Sequence, residues 1–328
     1  MVNSSPRTRQ RRMALRRRFR QGLIFILVFG VAMLLLWGTL KWGRSLVVRK
    51  MATTISVNSG MLQEAFSAEA LVLGGENLII ASTDGVFFPA VEEGQRIRKD
   101  EVLGRLANSA VQAVNMGTAI ITHSTGLVCF HIDGNEGLMT REGWEKSDLS
   151  QLPAVDKVQI VQPGTWVKEG RPLARVLDNL SNSFLGIEVN YQKVPVSPGL
   201  QAIELDRTLW IQLPGNDPEA VKVISLQRDS EKLRMVVELN GFKENLIHLR
   251  RTPVKVITNR WEGLVLPRAA LVFHDEVPGL YILRKGWTRW ESIEIVGETD
   301  AEIAVKGLDE GSVVVTNPGL VEEGVRLQ

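Results

Sequence analysis

The chain has 328 residues with 39 Lys and Arg against 37 Asp and Glu, long enough for one large domain or two to three smaller ones. Residues 1–50 hold twelve cations and no acid, so residues 51–328 stand at −10 within a whole-chain charge of +2, and an acidic body with its basic excess confined to one terminus argues against a nucleic-acid-binding domain. The single cysteine, Cys129, excludes a disulfide framework and a cysteine-based zinc site, and a composition of 44% hydrophobic and 23% charged residues is that of an ordinary globular body.

Residues 1–21 form an arginine-rich tail, and Gly22 to Leu40 then run 19 residues without a charge. At 1.5 Å per residue a helix of that length spans roughly 28 Å, close to the hydrocarbon thickness of a bilayer. Trp37 and Trp42 lie where indole rings favour the interface, so a transmembrane anchor is expected over residues 22–42. Arg16-Arg17-Arg18-Phe19 loosely fits a twin-arginine export signal, but no small-x-small cleavage site follows Leu40, which predicts an uncleaved anchor. Eight cations before the span against four after it put the N-terminus in the cytoplasm and the body outside. The tail's arginines are expected to set topology and touch anionic membrane lipid.

Beyond the anchor the pattern is β. Short apolar runs (Leu71 to Leu73, Asn77 to Ser82, Val221 to Leu226, Leu233 to Leu239, Val254 to Thr258) alternate with Gly, Asn, Asp and Ser turns. Leu233, Met235, Val237 and Leu239 alternate with Arg234 and Glu238, the period-two pattern of a sheet buried on one face. Thr140 to Leu152 is the one helical candidate outside the membrane, with Trp144 and Leu149 facing inward.

A doubled segment organises the middle of the chain. Gly94-Gln-Arg-Ile-Arg-Lys-Asp-Glu-Val-Leu-Gly-Arg-Leu106 aligns with Gly164-Thr-Trp-Val-Lys-Glu-Gly-Arg-Pro-Leu-Ala-Arg-Val176. Both place an apolar residue at +3 (Ile97, Val167), a base at +4, a turn residue at +6 (Asp100, Gly170) and Leu at +9. This spacing predicts a strand, a turn tolerant of positive φ and a second strand. Gly85-Val86 leads into one copy and Gly126-Leu127-Val128 into the other, the second lead-in being about 29 residues longer, an insert around residues 131–158.

The doubled G-x-x-V-x-x-G-x-x-L pattern resembles the two half-motifs of the lipoyl-like domain in HlyD-like membrane fusion proteins, extracytoplasmic adaptor subunits of bacterial exporters. Gly263-Leu-Val-Leu-Pro-Arg-Ala-Ala-Leu271 is similar to the family's strand that leads into its last domain, and Gly279 to Leu283, Val296-Gly297, Gly307 to Val315 and Glu322 to Arg326 look like its membrane-proximal β-domain. The resemblance implies a mainly β protein: strands at 51–78 returning to a β-barrel, a lipoyl-like β-sandwich at 79–177, the barrel at 183–266 and a membrane-proximal domain at 267–328. It implies a non-catalytic adaptor whose partners are a cytoplasmic-membrane transporter (permease or ATPase), membrane lipid and further copies of itself, without nucleic acid. Two departures stand out. Only Ala107 to Thr118 separates the half-motifs, too short for the helical hairpin of adaptors that reach an outer-membrane channel. Lys99 and Lys168 precede the turns, away from any swinging-arm position, so no covalent cofactor is expected. The short connection also suits an alternative, an envelope or division scaffold that keeps the adaptor fold without a transporter.

No catalytic, cofactor-binding or metal residue is expected. His123, His131, His248 and His274 are scattered without i,i+4 pairing. Cys129 and His131 lie on one side of a strand, where a buried thiol beside a polar turn is the favoured reading over a pair of soft ligands. In Asp133-Gly-Asn-Glu-Gly137 the fifth and twelfth places of a calcium loop hold Gly137 and Trp144, which favours a turn. No nucleophile elbow, phosphate loop or dinucleotide fingerprint is present. Glu92-Glu93 and Glu322-Glu323 are expected as solvated turn charges. Trp287 and Trp290, an odd number apart, should face opposite sides of a strand, an exposed indole marking a partner surface.

Overall fold

The computed structural model describes residues 51–109, 116–134, 136, 139–146 and 158–327, together with Gly30, Met33 and Leu35. These last three are helical, and the rest of the expected 22–42 anchor lies outside the described residues, as does Leu149. Among the described residues no helix is long and apolar enough to cross a membrane. The body is mainly β, as the alternating pattern predicts. It divides into two compact units, one of residues 63–260 and one of residues 1–62 with 261–328.

Within the larger unit the doubled segment folds by exchange. Lead-in strand Gly85–Pro89 pairs with Trp166–Val167 of the second copy, and lead-in Gly126–Cys129 with Arg96–Ile97 of the first. The registers are equivalent: Val167 faces Gly85 as Ile97 faces Gly126. Two four-stranded sheets result. One runs Trp166–Val167, Gly85–Pro89, Val102–Ala107, Thr118–Ile121, and the other Arg96–Ile97, Gly126–Cys129, Pro172–Leu177, Glu76–Ile80. Even the bulges correspond, between Val102 and Gly104 on one sheet and Pro172 and Ala174 on the other. Positive φ falls at Asp100 (65°) and Gly170 (78°), the matching turn positions. Phe87, Ile97, Leu103, Leu106, Val128, Leu173 and Val176 fill the core between the sheets.

The same unit holds a barrel. Strands Phe184–Asn190, Lys232–Glu238, Glu219–Arg228 and Thr208–Gln212 follow one another by antiparallel pairing. Thr208–Gln212 pairs with Arg251–Pro267, and Ala70 to Leu73 of strand Asn58–Leu73 pair with Phe184 to Ile187, closing the ring with no free edge. Ile187, Leu209, Ile211, Val223, Met235, Val237 and Val256 fill it. A short helix, Pro198–Gln201, lies against this barrel under Ser197, whose hydroxyl accepts from the Leu200 N–H. Glu64 accepts from the N–H of Gly199 at 2.8 Å and from Asn259 at 2.6 Å.

In the smaller unit, Thr54–Ser56 pairs with Val313–Val315, so this part of the 51–78 segment joins the C-terminal strands and not the barrel. Val57, next along the chain, enters the core formed with Leu264, Leu280, Ile303 and Val314. Trp287 is half exposed while Trp290 is partly buried, stacked on His274 at 4.7 Å, as odd spacing on a strand requires.

Two predictions follow from this packing. A Cβ on Gly126 would lie 2.1 Å from the Leu177 carbonyl oxygen, whereas at the equivalent Gly85 the nearest atom is 3.3 Å away. Gly126→Ala should therefore lower stability by roughly 1–3 kcal/mol or more and Gly85→Ala by less, read from denaturant midpoints. For Glu64, burial raises the carboxyl pKa, but hydrogen bonds from Ser197, Asn259 and Gly199 outweigh it and hold the folded value below the ordinary range. A lowered folded pKa gives stability that is present above the unfolded value of about 4 and is lost as pH falls through the folded value. Glu64→Gln should flatten that acid limb in unfolding measured against pH.

Candidate functional site

Five charged side chains are buried together beside the sandwich. Arg250 makes a bidentate pair with Glu76, both contacts 3.0 Å, and a further ion pair with Asp133. Arg175 reaches the same Glu76 carboxylate at 3.0 Å. The exposures of Arg175, Arg250, Glu76 and Asp133 are 3%, 6%, 2% and 4%. Asp133 belongs to the expected turn, where Glu136 accepts from the Asp133 and Gly134 N–H groups. The turn reading of 133–137 holds for its described residues, and Asp133 is a structural counter-ion for Arg250. Two guanidiniums against three carboxylates leave the group at −1, a near-balance that burial at low dielectric demands.

The helical candidate is present as Arg141–Lys146, with Thr140 capping it by accepting from the Gly143 N–H at 3.1 Å. Its Trp144 is 3% exposed and covers Gly186, while the Arg234 guanidinium lies 4.7 Å from the ring centroid.

Adjacent to Arg175 lies a second cluster. Cys129 and His131 do meet, Sγ to Nδ1 at 3.6 Å, but they have further company. His248 Nδ1 stands 3.7 Å from the same sulfur, and Glu93 Oε1 stands 3.4 Å from His131 Nδ1 and 3.5 Å from His248 Nδ1. One donor atom from each of the four residues lies within 4.8 Å of every other. Glu93 is therefore no plain solvated turn charge: its Oε2 accepts from the Phe130 N–H at 2.8 Å, which aims Oε1 at the imidazoles. Arg175 donates to the sulfur at 3.5 Å and to the Ile247 carbonyl at 2.8 Å, holding the turn that carries His248. Burial pushes the Cys129 thiol above its ordinary value against the opposing pull of Arg175. A fully buried thiol raised in this way is a poor nucleophile.

Sequence reasoning finds Cys129 and His131 through their i,i+2 spacing. It misses Glu93 and His248, since nothing local to either links it to Cys129. His123 and His274 stay outside the cluster.

Residues 76–178 match the family model described as RND related, barrel-sandwich hybrid domain, the segment that holds both half-motifs resembling the membrane fusion proteins. No curated protein matches the chain. Among solved structures it is similar to ZneB from Cupriavidus metallidurans at 13% identity, covering 84% of this chain and 95% of that one with a TM-score of 0.35. It is similar to MacA from Actinobacillus actinomycetemcomitans at 13% identity, 80% and 99% coverage and a TM-score of 0.39. For the membrane fusion protein Spr0693 from Streptococcus pneumoniae R6 the figures are 10%, 58% and 98%, and 0.32. At these scores the sandwich assignment rests on its strand pairing and the family match.

Arg250→Met would take from buried Asp133 its ion pair with Arg250 and leave Arg175 as the guanidinium on Glu76, so a buried acidic group loses one of its two cations. The expected loss is about 3–5 kcal/mol, the scale for breaking a buried pair from one side, seen as a lowered denaturant midpoint. An exposed pair such as Arg268 with Glu298, at 47% and 54% exposure, should cost less than about 1 kcal/mol.

Proposed function

We propose that the protein is a non-catalytic, membrane-anchored adaptor of the membrane fusion type, its N-terminus cytoplasmic and its body outside the cytoplasmic membrane, serving a transport or efflux complex. The reading is carried by the barrel-sandwich hybrid at residues 76–178, in which the two half-motifs exchange lead-in strands. It is supported by the uncharged run from Gly22 to Leu40 behind eight arginines. The domains would be a lipoyl-like module at 79–177 with its insert at 131–158, a barrel at 183–266 and a membrane-proximal domain at 267–328. A transporter permease or its ATPase would be the partner, with self-association and lipid contact completing the assembly.

The connection between the half-motifs bears on the type of adaptor. Strand Val102–Ala107 ends and Thr118–Ile121 begins with ten residues between them, which leaves no length for a two-helix arm. A short-armed adaptor acting close to its own membrane fits this length. The same feature favours a second reading, an envelope or division scaffold without a transporter.

Brief cross-linking of native membranes, mild solubilisation, capture through a C-terminal tag and mass spectrometry separate the two. Near-stoichiometric recovery of a permease or ATPase is the expected outcome. Recovery of envelope or division proteins without any transporter would overturn the adaptor reading in favour of the scaffold.

A further inference from the structure

The four atoms around Cys129 are spaced as ligands of a common centre. With metal–sulfur, metal–nitrogen and metal–oxygen bonds of about 2.3, 2.05 and 2.1 Å at tetrahedral angles, sulfur–nitrogen edges come to about 3.6 Å and nitrogen–oxygen edges to about 3.4 Å. The corresponding distances here are 3.6 and 3.7 Å for sulfur to the two imidazoles, and 3.4 and 3.5 Å for those imidazoles to Glu93. Both rings turn the same nitrogen, Nδ1, toward the same sulfur and the same carboxylate oxygen. Each neutral ring nitrogen bears at most one proton, so hydrogen bonding must divide that proton between two acceptors. A cation at the centre faces all four donors at once.

Three further observations point the same way. The ligands are oriented from behind: the Phe130 N–H fixes Glu93 Oε2, and Arg175 grips the carbonyl of Ile247 next to His248. A thiolate and a carboxylate together balance a divalent charge, while Cys129 is fully buried and His248 remains half exposed on the approach side. Third, the site breaks the repeat. On the matching positions of the other sheet, Phe88 stands for Cys129, Ala90 for His131 and Pro163 for Glu93. Sandwich packing therefore does not require these residue types, and their convergence with His248 needs another reason.

We propose that Glu93, Cys129, His131 and His248 bind one divalent transition-metal ion of the zinc class in a four-ligand site. Imidazole and thiolate select a borderline-soft ion over calcium or magnesium. Four protein ligands leave no open position, which makes the site structural: it ties the turn at 247–250 to strands Gly126–Cys129 and His131–Ile132. This inference does not depend on which partner the protein serves.

Cobalt(II) is the probe, added to the chelator-stripped full chain in detergent and purified through a tag without histidine. The expected result is one equivalent per chain, with a sulfur-to-cobalt charge-transfer band and the intense visible bands of four-coordinate cobalt, both abolished by zinc. Cys129→Ser should lose the charge-transfer band. His248→Ala replaces a half-exposed side chain and so keeps the test free of folding defects. It should weaken affinity by at least the ~10–100-fold that loss of a ligand's support costs, and zinc should raise the melting temperature of the wild type but not of this variant. Failure of the folded wild type to take up cobalt, or unchanged affinity and spectrum in His248→Ala, would overturn the proposal.

Discussion

Three distant parts of the chain meet on one guanidinium. Arg175 holds Glu76 on the neighbouring strand, the sulfur of Cys129 on the other side and the carbonyl of Ile247 in the turn before the last barrel strand. Its charge is buried, so each of these contacts is needed to offset desolvation, and none can be moved without exposing an unsatisfied donor. The sandwich edge, the ligand-bearing turn and the Arg250 ion pairs are thereby held in one register. Burial works against the charged form of Arg175, and the nearby sulfur and Glu76 carboxylate more than restore it. The cation is permanent, and the surrounding acids are arranged to suit it.

The repeat explains why such a residue is available. Arg105 occupies the same position in the first copy, yet it is only partly buried and donates to the Gly117 carbonyl at 3.1 Å. One residue type at one motif position therefore does two jobs, decided by what the rest of the chain brings to it. Where Arg105 donates to Gly117 of the local connection, Arg175 finds Glu76, Cys129 and the barrel turn. A pseudo-symmetric scaffold is stable through its shared apolar positions, which leaves the unshared polar ones free to diverge.

This division also accounts for what could be read from the sequence. Glycine spacing, the turn residues at Asp100 and Gly170 and the strand alternation are local signals, and the structure follows them closely. So do the cap at Thr140, the inward face of Trp144 and the opposite faces of Trp287 and Trp290. The exchange of lead-in strands is not local. It depends on which strand edges remain open after each hairpin forms, a property of the whole sandwich. The pairing of Thr54–Ser56 with Val313–Val315 spans nearly the full chain and has no periodic signature of its own. Glu93 is legible as an acid in a turn and His248 as an isolated histidine. Only the fold brings His248 to 3.7 Å from the Cys129 sulfur and Glu93 against both imidazoles.

Cysteine count illustrates the limit most sharply. One cysteine excludes sites built from several thiolates, and that deduction is sound for local motifs with fixed spacing. It does not address a mixed set whose members come from a turn, two short strands and a distant loop. In such a set the thiolate supplies softness, the imidazoles supply neutral donors and the carboxylate supplies the second negative charge. Arg175 adds a constraint, since a fixed cation 3.5 Å from the sulfur opposes the approach of a second cation. Glu76 lies on the far side of that guanidinium and partly neutralises it, as Glu93 does for the cluster. The acids of the buried network are thus more than partners for arginines: they set the local potential in which a thiol, two imidazoles and a carboxylate can share one centre.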